Sequence, residues 1–177
     1  MIRGGRQAGP LRNRVVEWLV DEGLEVSTSE VPQGAPIEWA IKATMKAPIR
    51  VSIILQQPKG KGERVDVVLG VAISEFHKRK LRDLDSARRA RMMNDLIVKI
   101  ICACPDCLVA VQPRIDDPHG ILVSKTLQGS KVTRENLAEM IRVMANIYLL
   151  IVAMFNSELG SPVREGPKKG GDYYSSI

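Results

Sequence analysis

The sequence predicts an α+β domain with an antiparallel sheet of about five strands, in the order helix, three-strand meander, helix, hairpin, helix. Three observations predict it. Apolar residues recur at helical spacing in three separate stretches; between those stretches lie neighbouring runs of strictly alternating residues; and short polar turns join the runs. Strands that follow one another between helices favour an antiparallel sheet over a doubly wound parallel one. The composition is globular, at 45% hydrophobic and 26% charged residues, but only 4% is aromatic, so Val, Ile, Leu, Met and Ala must build the core. At 177 residues one core is enough.

Each element has its own signal. Pro10 suits a first helical position, and Leu11, Val15, Trp18 and Leu19 recur on one face until Gly23 stops the pattern. An edge strand is expected near residues 24–29. In IEWAIKATM the apolar positions Ile37, Trp39, Ile41, Ala43 and Met45 alternate with Glu38, Lys42 and Thr44, which describes a half-buried strand. Lys46-Ala47-Pro48 turns into RVSIILQQ, and PKGKGE turns into RVDVVLGVAI, with Val65, Val67, Leu69, Val71 and Ile73 on one face. Ser74 caps a helix that starts at Glu75, carries a break near Asp83 and runs to about Ile101. CLVAVQPRI and ILVSKTL form a hairpin across DDPHG, whose Asp, Pro and Gly favour a tight turn. Thr133 caps the last helix, whose stripe Leu137, Ile141, Met144, Tyr148, Ile151 and Phe155 is widened by Met140, Ile147 and Met154 before Gly160 ends it. Residues 10–159 therefore read as one domain, between a disordered basic arm at 1–9 and a disordered tail at 160–177.

The segment ISEFHKRKLRDLDSARRARMMNDLIVKII, placed after a meander and before a hairpin and a long apolar helix, resembles the type III secretion chaperone-like fold. More narrowly, it resembles an uncharacterised archaeal family of that fold. The resemblance covers residues 11–158 and implies a small protein-binding module, often dimeric, with no cofactor and no catalytic residues. The basic helix and arm depart from the acidic character of secretion chaperones.

Charge is segregated along the chain. The net charge is +6, of which Arg3, Arg6, Arg12 and Arg14 supply four units before residue 15 with no acid among them. Lys78 to Arg91 holds seven cations against Asp83 and Asp85. On a continuous helix Lys78, Arg82 and Arg89 share a stripe with Arg79 beside it, which suits phosphate or an acidic partner. No aromatic residue interleaves with the stripe, which argues against stacking on single strands.

Other chemistry is sparse. Cys102, Cys104 and Cys107 are too few and too clustered for a disulfide framework. Cys104-Pro-Asp-Cys107 has the Cys-x-x-Cys spacing of a redox pair, but the helix runs into it, and a thiolate is stabilised at a helix N-terminus rather than a C-terminus. A zinc site would need His77 or His119 as a fourth ligand. Both histidines read as surface residues, Asp116 and Asp117 as turn residues, and Gly60 and Gly62 lack the strand-to-helix setting of a phosphate loop. The N-terminus lacks the apolar run of a secretory signal, and the longest uncharged apolar run, Val143 to Phe155, is too short to span a bilayer. A cytoplasmic location away from membranes is expected.

Three functional readings follow. The first is a non-enzymatic, cofactor-free module, chaperone-like or adaptor, that binds a partner protein and dimerises through Tyr148, Ile151, Met154 and Phe155. The second is a nucleic-acid or ribonucleoprotein accessory protein contacting phosphates through Arg3, Arg6, Arg12, Arg14, Lys78, Arg79, Arg82 and Arg89. The third is a thiol-dependent redox role at Cys104 and Cys107.

Overall fold

The alternating segments fold as six antiparallel strands: β1 (Glu25–Thr28), β2 (Ile37–Met45), β3 (Val51–Pro58), β4 (Arg64–Ala72), β5 (Leu108–Arg114) and β6 (Asp117–Gln128). They lie side by side in the order β1-β2-β3-β4-β6-β5. The helical segments form α1 (Pro10–Asp21), α2 (Glu75–Asp83), α3 (Ser86–Ala103) and α4 (Arg134–Leu159). The structure is a computed structural model that describes residues 10–47 and 49–161, together with the backbone of a two-residue strand, β7 (Ser175–Ser176). Arg3, Arg6 and the rest of the basic arm lie outside the described residues, as does most of the segment expected to be a tail.

The sheet has six antiparallel strands rather than about five, because the expected edge strand forms and pairs with β2 from Glu25↔Thr44 to Thr28↔Ile41. The expected break near Asp83 is complete, and one boundary differs from the sequence reading. The break near Asp83 separates two helices: Leu84 closes α2, and the Asp85 side chain accepts from the Arg88 N–H at 2.9 Å to start α3. Asp is a favoured N-cap because its side chain satisfies a backbone N–H that the first turn leaves free. DDPHG is not the hairpin turn. The turn falls at Ile115–Asp116, and Asp117 to Gly120 already belong to β6. Gly120 is needed inside the strand, since a Cβ there would sit 3.2 Å from the Val71 carbonyl oxygen of β4.

The alternation in β4 separates the two faces of the sheet. Val65, Val67, Leu69 and Val71 are fully buried, whereas Asp66, Val68, Gly70 and Ala72 are half-exposed. The helices cover the first face, with α4 packed on β3, β4 and β6, flanked by α1, α2 and α3. Arg134 at the start of α4 ties down the end of α1 through Asp21 at 3.0 Å and Glu22 at 3.1 Å.

This packing corrects the expected dimer stripe on α4. Ile151 and Phe155 are fully buried, and Tyr148 and Met154 are nearly so. The stripe is wide because the helix is enclosed by the sheet and by other helices, not because a face awaits a partner. By length and composition α4 is long and apolar enough to cross a membrane, and 56% of its most apolar window is buried inside the fold, against the sheet and the other helices.

Candidate partner-binding surface

The cations singled out in the sequence do not form one stripe. Lys78 sits against Glu75 at 2.7 Å, and that hydrogen bond and charge hold the fully exposed Glu75 carboxyl below the ordinary carboxylate range. Arg89, beyond the helix break, turns inward: its Nη1 donates to the Asp116 carbonyl oxygen at 2.7 Å and its Nη2 to the Leu84 carbonyl oxygen at 3.0 Å. It locks the α2–α3 corner to the β5–β6 turn. Arg12 donates to the Thr28 hydroxyl at 3.1 Å, and Arg14 pairs with Glu63 and lies over the Trp18 ring. Arg79 and Arg82 remain exposed, together with Lys80 and Arg91.

His77, read from the sequence as a surface residue, is fully buried. Its Nε2 lies 3.0 Å from the Gly160 carbonyl oxygen and its Nδ1 3.1 Å from the Ser74 hydroxyl. A carbonyl only accepts, so Nε2 carries the proton and the Ser74 hydroxyl donates to Nδ1. The ring also stands edge-on to Phe155 and Phe76. His77 is thus a tie between the start of α2 and the end of α4. The absence of a charged neighbour at the i±4 positions Ile73 and Leu81 was the one available sequence signal of its burial. His119 is half-exposed, 3.3 Å from Asp117, and Asp116 pairs with Arg114 at 2.9 Å.

Cys104 and Cys107 form a disulfide with their Cα atoms 5.3 Å apart, both nearly buried, while Cys102 is an exposed thiol. Cys104 caps α3, and the Cys107 N–H donates to its carbonyl oxygen at 3.0 Å. The bond staples the exit of α3 to the start of β5. Among the described residues no three His, Cys, Asp or Glu side chains are grouped to hold a metal.

The larger feature is the outer face of the sheet. Ladder partners place Leu108 beside Ser124, Ser124 beside Val68 and Val68 beside Ile54. The next row sets Ala110 beside Leu122 and Leu122 beside Gly70. This belt of apolar and small residues crosses β5, β6, β4 and β3, and at its β5 edge Leu108 is 75% exposed. Polar residues close one end of the belt: Arg64 holds Asp66 at 2.9 Å, and the Thr126 hydroxyl donates to Asp66 at 2.7 Å. At the other end a concavity of about 570 Å³ is lined by Ala72, Gln112, Pro113, His119, Gly120 and Leu122. The edge strand β5 carries no charge from Leu108 to Gln112, although edges are commonly guarded by charge. Sequence alternation marks these positions as outward but does not reveal that they adjoin, because the order β4-β6-β5 depends on where the hairpin docks.

Known proteins agree with this architecture. Residues 11–155 match the family model described as "Uncharacterized conserved protein (DUF2299)", and the chain belongs to that family. The crystal structure of an uncharacterized protein from Methanothermobacter thermautotrophicus is similar with a TM-score of 0.72 at 17% identity, over 85% of this chain and 99% of that one. YbjN from E. coli, titled "a putative transcription regulator", is similar with a TM-score of 0.50 at 14% identity, over 85% of this chain and 96% of its own. At such identities the likeness concerns the fold alone. A search of curated protein sequences gave no match.

Proposed function

From family membership and the open sheet as premises, we propose that this chain is a non-enzymatic module that holds a partner polypeptide on the outer face of its sheet. One observation carries the reading: an apolar belt runs over four strands, from Leu108 to Ile54, on the face opposite the helices. Adjoining apolar and small residues on an open sheet face, with polar groups at one end and the exposed Leu108 at the edge, suit the docking of a partner protein. The chaperone-like or adaptor character suggested by the sequence fits the same surface.

The test is capture from native extract by the wild-type chain and by a Val68→Lys/Leu122→Lys variant, with bound proteins identified by mass spectrometry. The reading expects a stoichiometric partner that the wild type retains and the variant loses, while both melt at similar temperatures. Identical captures by the two chains would refute it.

The exposed cations Arg79, Lys80, Arg82 and Arg91 on α2 and α3 favour a second reading, binding to nucleic acid. Retention on a nucleic-acid column should then fall steeply with salt, and removing residues 1–9 should flatten that dependence. Salt-independent retention would exclude it.

A further inference from the structure

The β3–β4 ladder is incomplete. Its pairs are Gln56↔Asp66, Leu55↔Val67 and Ile54↔Val68. Carried on, the register would set Ile53 opposite Leu69 and Val51 opposite Val71, but the ladder ends at Ile54↔Val68. β4 meanwhile stays paired with β6 along its whole length, from Arg64↔Gln128 to Ala72↔Gly120. The upper half of β4 thus has a sheet neighbour on one side and a notch on the other.

Which backbone groups face the notch follows from one bond. The Ile73 N–H donates to the His119 carbonyl oxygen at 2.9 Å, so Ile73 and, by alternation, Val71 direct their N–H and C=O groups towards β6. Gly70 and Ala72 direct theirs into the notch. A backbone donor and acceptor left there without a partner would carry a desolvation penalty, so the notch calls for another strand. That strand is present: β7 pairs in parallel with β4, with Ser175 opposite Val71 and Ser176 opposite Ala72.

We propose that the Gly70–Ala72 segment of β4 is a strand-acceptor notch for an extended peptide running parallel to β4, which the chain's own β7 fills in cis. The outward positions of the notch are Gly70 and Ala72, with Gly120 beside Ala72 on β6, so side chains of an incoming strand meet no bulk. Main-chain hydrogen bonds supply affinity in this mode, and flanking pockets supply selectivity. The 570 Å³ concavity beside Ala72 and Gly120 is such a pocket. The inference goes beyond the partner-binding reading: the belt offers side chains on a face, whereas the notch offers backbone groups in the plane of the sheet, taken by the chain's own β7.

Amide hydrogen exchange resolved by NMR tests it in the isolated chain. Removing residues 162–177 is expected to accelerate exchange of the Ala72 amide about tenfold, while Val71 and Ile73, bonded to β6, change less than about twofold. A full-length Ser175→Pro/Ser176→Pro variant should reproduce the pattern without shortening the chain. Adding the synthetic hexapeptide of residues 172–177 at millimolar concentration should restore Ala72 protection in the truncated chain and leave the full-length chain unchanged. Unaltered Ala72 exchange, equal acceleration of all three amides, or no response to the hexapeptide would each overturn the notch. If the alternating pattern holds and no partner is captured in the extract experiment, the partner reading fails alone.

Discussion

Replacing His77 with Ala should be among the most damaging single changes outside the apolar core. The ring is fully buried and joins three things at once: the Ser74 cap of α2, the Gly160 carbonyl at the end of α4, and the edges of Phe155 and Phe76. Truncation leaves two polar groups without their partner, a loss of about 1–3 kcal/mol. It also opens a ring-sized space against Phe155, which adds on the order of 2 kcal/mol after partial collapse. Because the terms overlap, the net expectation is about 3 kcal/mol, or roughly 6–12 °C in Tm for a domain of this size. Urea unfolding followed by circular dichroism measures it directly. A companion variant, His77→Phe, keeps an aromatic ring against Phe155 but lacks both ring nitrogens, so it should lose only the hydrogen-bond part. A change below about 0.5 kcal/mol for His77→Ala, the size typical of a surface substitution, would refute the assigned role.

Other consequences are equally direct. Ile151→Ala should destabilise by about 2–5 kcal/mol as a core truncation, with the oligomeric state unchanged; a shift in sedimentation without loss of stability would restore α4 as an interface. Cys104→Ser/Cys107→Ser should lose about 2 kcal/mol, the loop-closure entropy of so short a loop, read as a lower urea midpoint than that of the oxidised wild type. Lys78→Ala should return the Glu75 carboxyl towards its ordinary range in a carboxyl-detected NMR titration, because Lys78 is the main cause of its lowered pKa. The sign follows from the depression: the native state favours the ionised form, so the effect is present above the unfolded pKa and is lost as pH falls through the folded one.

The parts of this fold legible in the sequence are those set by local periodicity. The period-two run of β4 marks its buried residues, that of β2 does so less cleanly because Ala40 and Thr44 are buried too, and Ser74, Thr133 and Gly160 mark helix boundaries that the structure shares. What stayed hidden depends on contacts between distant segments. His77 lies in a run of cations that reads as solvated, yet its partner, the Gly160 carbonyl, is 83 residues away. Arg89 falls on the expected stripe by helical arithmetic, but the Asp85 cap restarts the helix and turns that side chain to Asp116. The apolar breadth of α4 suggested a second partner because a sequence cannot show how many neighbours surround a helix. The belt on the outer face was unreadable for the opposite reason: its members are single residues in four strands, joined only by register.

The residues of that face also vary systematically along the strands. Outward on β4 come Asp66, Val68, Gly70 and Ala72; their neighbours on β6 are Thr126, Ser124, Leu122 and Gly120. Asp66 and Val68 stand where β3 closes the ladder, and the two smallest residues, Gly70 and Ala72, stand where the ladder has ended. A face that serves only to meet water gains nothing from losing polarity and volume at one end, since glycine within a strand weakens it by lost packing and added chain entropy. A strand edge that admits another strand gains room on that face for the newcomer's side chains. Ala72→Lys should therefore leave the fold within about 0.5 kcal/mol of wild type, as a half-exposed outward substitution, while its long side chain crowds the face beside an incoming strand. In the chain lacking residues 162–177, this variant should weaken protection by the 172–177 hexapeptide. Undiminished protection would place the peptide elsewhere and remove the reason given for this gradient.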